Sequence, residues 1–114
     1  MAIRALEGMA PEWYAPEGNT DDATRFKIRP LDGAEFGEIA DYVTIRDSGH
    51  PMILAAGRDR CLKMALLDWE NFNNQAGAVK CTPHNMRLIP HEYRVAIVNR
   101  ILAISTLSED EEKN

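Results

Sequence analysis

Apolar residues recur at helical spacing in three stretches of the chain, and alternate with basic ones in a short fourth. The strongest stretch is the last. From Pro90 onward Tyr93, Ile97, Ile101 and Ile104 share one face, widened by Val98 and Leu102, while Arg94 and Arg100 fall on the water side. A first helix is predicted to start at Asp32, its N-cap, with Glu35 reaching back to complete a capping box. Phe36, Ile39, Ala40 and Val43 form its apolar stripe. A second helix opens at Pro51, a residue suited to the first helical position, with Ser48 or His50 as cap after the Asp47–His50 break. Leu54, Cys61, Leu62, Ala65 and Leu66 make its buried stripe, and it ends in Leu66-Leu67-Asp68-Trp69-Glu70. Gly57 weakens that helix by about 1 kcal/mol relative to alanine, so a close packing contact is expected at this position.

Phe26-Lys27-Ile28-Arg29 has the alternation of a half-buried strand, stopped by Pro30. Asn74-Gln75-Ala76-Gly77 reads as a turn, and Ala78–Cys81 after it offers a second strand to pair with the first. Thr82-Pro83-His84-Asn85 is a cap with proline at the first helical position, opening a helix cut short by Pro90. These elements predict a mainly α fold: a small helical domain of three main helices, with room for one short two-stranded β-ribbon.

Residues 1–24 read as an N-terminal arm, because Pro11, Pro16, Gly18, Asn19 and Asp21-Asp22 break every period. The arm isolates an aromatic pair, Trp13-Tyr14, which either covers a core edge or docks a partner. Residues 25–107 form the helical domain. Residues 108–114, Ser-Glu-Asp-Glu-Glu-Lys-Asn, are a polar tail with too little to bury to stay ordered.

The chain of 114 residues has room for one domain with one modest core. Its formal net charge of −5, from 13 basic and 18 acidic residues, repels nucleic acid, and no basic stripe offsets this. No apolar run has the length of a membrane span, and no signal segment opens the sequence. Cys61 and Cys81 are therefore expected as reduced, buried thiols.

The residues that could carry chemistry do not assemble into a motif. Cys81, His84 and His91 lie in one region, with Cys61 or His50 as distant fourth ligands, but structural zinc wants four ligands in paired spacings. His91-Glu92-Tyr93-Arg94-Val95 opens like a helical zinc-protease motif, yet Val95 stands where the second histidine must be. Ser48, Ser105 and Ser108 lie in no strand–turn–helix elbow, and the glycines do not cluster into a phosphate-cradling loop. No catalytic residue, cofactor or metal is expected, and the chain reads as a binder rather than an enzyme.

Two segments resemble the tail assembly chaperones of long-tailed bacteriophages. The first is Arg25-Phe26-Lys27-Ile28-Arg29-Pro30-Leu31-Asp32-Gly33-Ala34-Glu35, a strand, an RPL-x-G turn and an acidic helix start. The second joins Leu67–Phe72, the Gly77 turn, Cys81-Thr82-Pro83-His84-Asn85, the last helix and the ending Leu107–Asn114. In order, they run from Arg25 to Asn114, about the last four-fifths of the chain.

The resemblance implies a non-catalytic protein of the host cell cytoplasm, absent from the mature virion. It would hold the tape-measure protein and help recruit tail-tube protein, with self-association into a homo-oligomer left open. The family has no catalytic residues to carry over. Trp13, Tyr14, Trp69 and Phe72 are the candidate partner-binding residues, chosen by residue type and expected exposure. Chaperones of this kind are often made in two forms through ribosomal slippage, and Glu112-Lys113-Asn114 can be encoded as the slippery GAA-AAA-AAC. Two rival readings are a head–tail connector, which would persist in purified particles, and a small inhibitor of a host enzyme.

Overall fold

The computed structural model describes residues 10–45, 49 and 51–113. Its first sheet has three antiparallel strands in the order β1 (Glu12–Tyr14), β2 (Arg25–Ile28) and β5 (Leu66–Glu70). Between β2 and β5 the chain makes helix α1 (Gly33–Ala40), the hairpin strands β3 (Val43–Ile45) and β4 (Pro51–Ile53), and helix α2 (Ala55–Ala65). After β5 come a second small hairpin, β6 (Asn73–Asn74) and β7 (Gly77–Ala78), a 3-10 turn at Asn85–Leu88, and the long helix α3 (His91–Lys113).

The fold is therefore mixed α/β, with three small antiparallel sheets among the described residues, and not the mainly α fold expected from periodicity. The largest departure is at Leu66–Glu70, expected as the end of α2. The Leu66 backbone turns extended (φ −87°, ψ 111°) as soon as its N–H has donated to Leu62, and the segment pairs with β2. The β2 partner expected at Ala78–Cys81 is likewise replaced: β7 pairs with β6, and β2 is bordered by β1 and β5. Pro51 lies in β4 rather than at a helix start, a place a two-stranded ribbon allows because an edge proline need not donate. The cap candidates Ser48 and His50 lie outside the described residues. Leu54 takes the N-cap position of α2 without a side-chain hydrogen bond, and it is exposed.

Other local expectations match the structure. Asp32 accepts from Glu35 N–H at 2.8 Å and Glu35 accepts from Asp32 N–H at 3.0 Å, so both halves of the capping box form. Thr82 Oγ1 accepts from Asn85 N–H at 3.1 Å to start the short turn before Pro90. Of the predicted α3 face, Ile97, Ile101 and Ile104 are buried together with Val98. The backbone of α3 continues as helix through residues 108–113, where composition points to a solvated tail.

The core is one cluster to which every main element contributes. Phe26, Ile28, Leu66 and Trp69 come from the inner face of the sheet, Ile39 from α1, Cys61, Leu62 and Ala65 from α2, and the isoleucine face from α3. Strand alternation sorts the sheet by residue: the cross-strand row Tyr14, Phe26, Trp69 faces inward, and the row Trp13, Lys27, Asp68 faces out. Between Lys27 and Ile28 the register with β5 slips by one, so Leu67 is the extra residue of a β-bulge and its side chain is left exposed.

One buried hydroxyl ties the sheet to α3. Ser105 Oγ accepts from Leu31 N–H at 2.8 Å and donates to Ile101 C=O at 2.6 Å. Leu31 follows Pro30, beyond the end of β2, and its N–H has no ladder to join. The hydroxyl supplies the partner that a buried amide requires.

Candidate partner-binding surface

The four aromatic candidates separate into different environments. Trp13 points outward from β1 with 44% of its surface exposed, and Lys27 Nζ lies 6.0 Å from its ring centroid. Tyr14, one residue on, turns inward and packs against the core. Trp69 is only 6% exposed, and its indole N–H donates to Val79 C=O at 2.6 Å. Expected by residue type and exposure as a partner contact, it is instead a core residue that pins the chain after β7. Phe72 is partly buried, with its ring 5.1 Å from Trp69 and 6.1 Å from Phe26. The edge-on Phe26–Trp69 pair, 6.3 Å between centroids, completes a three-ring cluster that runs from the core towards the surface.

A pocket of about 140 Å³ opens beside this cluster, lined by Pro16, Glu17, Thr24, Phe26, Phe72, Pro90 and Tyr93. A cavity near ~150 Å³ holds a benzene-sized group, so the space suits one apolar side chain. Phe26 and Phe72 are fixed by ring packing, and the two prolines are stiff. The polar members are already engaged. Thr24 Oγ1 donates to Asn71 C=O at 2.6 Å, and Asn71 Nδ2 returns a bond to Ala23 C=O at 3.0 Å. Asn71 itself adopts the left-handed region (φ 57°), which reverses the chain between Trp69 and Phe72. Tyr93 O–H donates to the Glu17 carboxylate, and that bond raises the phenol above its ordinary pKa.

A second contact fixes the N-terminal segment to α3. Arg100 Nε and Nη2 grip Glu12 at 2.7 and 3.2 Å. Glu12 and Glu17 flank Tyr14, so β1 and the following turn are held at both ends. Arg94 is equally occupied, donating to Met86 C=O at 2.6 Å and pairing with Asp59. Both arginines fall on the predicted water face of the last helix, yet each tethers another element. Pro16, Glu17, Thr24, Pro90 and Tyr93 were not legible as pocket residues, because their convergence depends on pairings far apart in sequence. Only the proline content of the two segments hinted at stiff walls.

The residues considered for chemistry stay apart. Among the described residues, no three His, Cys, Asp or Glu side chains come together as a metal site. Cys61 and Cys81 are both free thiols. Burial pushes Cys61 up to about 12, and burial also raises Cys81, so neither is a thiolate at neutral pH. No helix is long and apolar enough to cross a membrane among the described residues. The arrangement offers contact area, an outward indole and an aromatic-walled pocket. No family model, characterised protein or solved structure matches the chain.

Proposed function

We propose that the chain is a non-catalytic tail assembly chaperone of a long-tailed bacteriophage, binding the tape-measure protein and assisting tail-tube assembly. The observation that carries this reading is the ordered run of segments from Arg25–Glu35 to Leu107–Asn114 that resembles that family. The surface supports it in kind. A chaperone for a long helical partner needs apolar anchors that accept successive side chains of that partner without demanding one sequence. Trp13 offers a rigid ring with low side-chain entropy to lose, and the pocket beside Phe72 takes one apolar side chain. In this reading the protein works in the host cytoplasm and leaves before the virion is complete.

Co-expression with the tape-measure protein from the same genome tests the proposal. The partner is expected to become soluble and to co-purify, and Trp13→Ala is expected to lower its recovery while leaving the chaperone's own melting temperature unchanged. A tape-measure protein equally insoluble with and without this chain would refute the reading. Genes for tail-tube and tape-measure proteins on either side of this one would support it independently.

A further inference from the structure

The pocket beside Phe72 is apolar in its depth and acidic at its mouth. Phe26 is its buried wall, and Pro16, Phe72 and Tyr93 are half-buried around it. Glu17 and Pro90 are exposed and stand at the opening. Among the described residues, none that lines the pocket is a lysine, an arginine or a histidine. The Glu17 carboxylate accepts from Tyr93 O–H and forms no ion pair among the described residues. A carboxylate offers about four acceptor sites, so this one keeps capacity for a cation. The negative field at the mouth is shared: Tyr93 is raised first by its bond to Glu17, and in lesser part by the charges of Glu17 and Glu92.

We propose that this pocket takes a lysine side chain of the partner, its apolar stem against the rings and prolines and its ammonium at Glu17. The inference rests on reading this surface as a partner contact, and it names what that contact selects. A space of about 140 Å³ is close to the ~150 Å³ that holds benzene, and the unbranched stem of lysine is slim enough to enter it. Aromatic rings attract a cation through their π faces and repel an anion. The free atoms favour lysine over arginine. Tyr93 O–H engages Oε1 of Glu17. A guanidinium held at two points wants both carboxylate oxygens, whereas an ammonium is a point charge that one oxygen serves. A neutral side chain of the same length fills the same space but leaves the carboxylate to water.

Two blocked amino acids of similar stem test the charge: acetyl-lysine amide, free at its side-chain amine, and acetyl-norleucine amide. Each is titrated into the full chain at constant ionic strength and followed by amide NMR shifts. The lysine probe is expected to shift Thr24, Phe72 and Tyr93 saturably, and to bind about fivefold more tightly than norleucine. Glu17→Gln keeps an acceptor for Tyr93 O–H and is expected to bring the two probes to equal affinity. Absence of a saturable shift, or equal binding of both probes by the wild-type chain, overturns the inference, and neither result depends on a variant folding. A lysine preference that survives in Glu17→Gln overturns it too. Tighter binding of acetyl-arginine amide or of tetramethylammonium would assign the pocket to another cation and overturn the proposed occupant. No partner protein is used, so failure here leaves the tape-measure reading to its own co-expression test, and failure of that test leaves lysine binding to be read on its own.

Discussion

Alanine placed at two helical glycines should have opposite effects on stability. Gly57 lies in the first turn of α2, and a Cβ there would stand 2.5 Å from Tyr42 Cβ, 2.9 Å from Ile53 Cγ1 and 3.1 Å from Tyr42 Cγ. Relief would require Tyr42 to retreat, and its backbone is held at both ends. Its N–H donates to Ile39 C=O at 2.9 Å, and its C=O accepts from Leu54 N–H at 2.8 Å. The ring is also covered by the Arg60 guanidinium, 5.6 Å from its centroid. Swinging the side chain cannot move a Cβ, so the turn itself must shift. Overpacking of this kind costs about 1–3 kcal/mol, against a helix-propensity gain from alanine of at most about 1 kcal/mol. Gly57→Ala is therefore expected to destabilise by about 1–2 kcal/mol. Gly37, inside α1, has nothing within 4 Å of a built Cβ, so Gly37→Ala keeps the propensity gain and should stabilise by about 0.5–1 kcal/mol. Urea unfolding followed by tryptophan fluorescence reads both. Midpoints that move in the same direction for the two variants would refute the close approach of Tyr42 to α2.

Three further outcomes follow from single contacts. Ser105→Ala strands the Leu31 amide in the core and should cost about 1–3 kcal/mol; a variant that melts like the parent would show that the hydroxyl is not that amide's partner. The hydrogen bonds from Arg29 to Glu35, at 2.6 and 2.8 Å, hold the Glu35 carboxyl below its ordinary range. Its contribution is then complete above the unfolded-state pKa and is lost as pH falls through the folded one, so acid should lower the urea midpoint less steeply in Glu35→Gln; parallel curves would count against this pair. Partly exposed Cys81 should react with a thiol reagent before buried Cys61, whose labelling waits for unfolding; equally fast reaction of both in the folded protein would contradict the burial of Cys61.

Local signals were legible wherever neighbours in sequence decide the structure. The capping box at Asp32, the threonine start at Thr82 and the isoleucine face of α3 each depend on residues within two turns of one another. The close contact at Gly57 was also legible, because a glycine in the middle of a predicted helix needs a reason; the neighbours are Tyr42 and Ile53. Leu66–Glu70 misleads for a definite cause. Trp69 falls four residues after Ala65 and seven after Leu62, so the helical stripe of α2 continues unbroken into the strand. What turns the backbone extended is pairing with Arg25–Ile28, in which Trp69 lies opposite Phe26. Tertiary pairing overrides local preference there. The same holds at Val43, which fits the α1 stripe but follows the helix end and stands exposed in β3.

The aromatic candidates could be picked out by residue type but not by orientation. Trp13 and Tyr14 look like one aromatic unit in the sequence, but a strand sends adjacent side chains to opposite faces, so one ring anchors β1 and the other is left for solvent or a partner. Charges misled in a related way. Arg94 and Arg100 fall on the polar side of α3, which periodicity equates with open water, yet Asp59 and Glu12 lie across from them. Helical period reports which side of α3 meets the core; it does not report what else the fold brings to the other side.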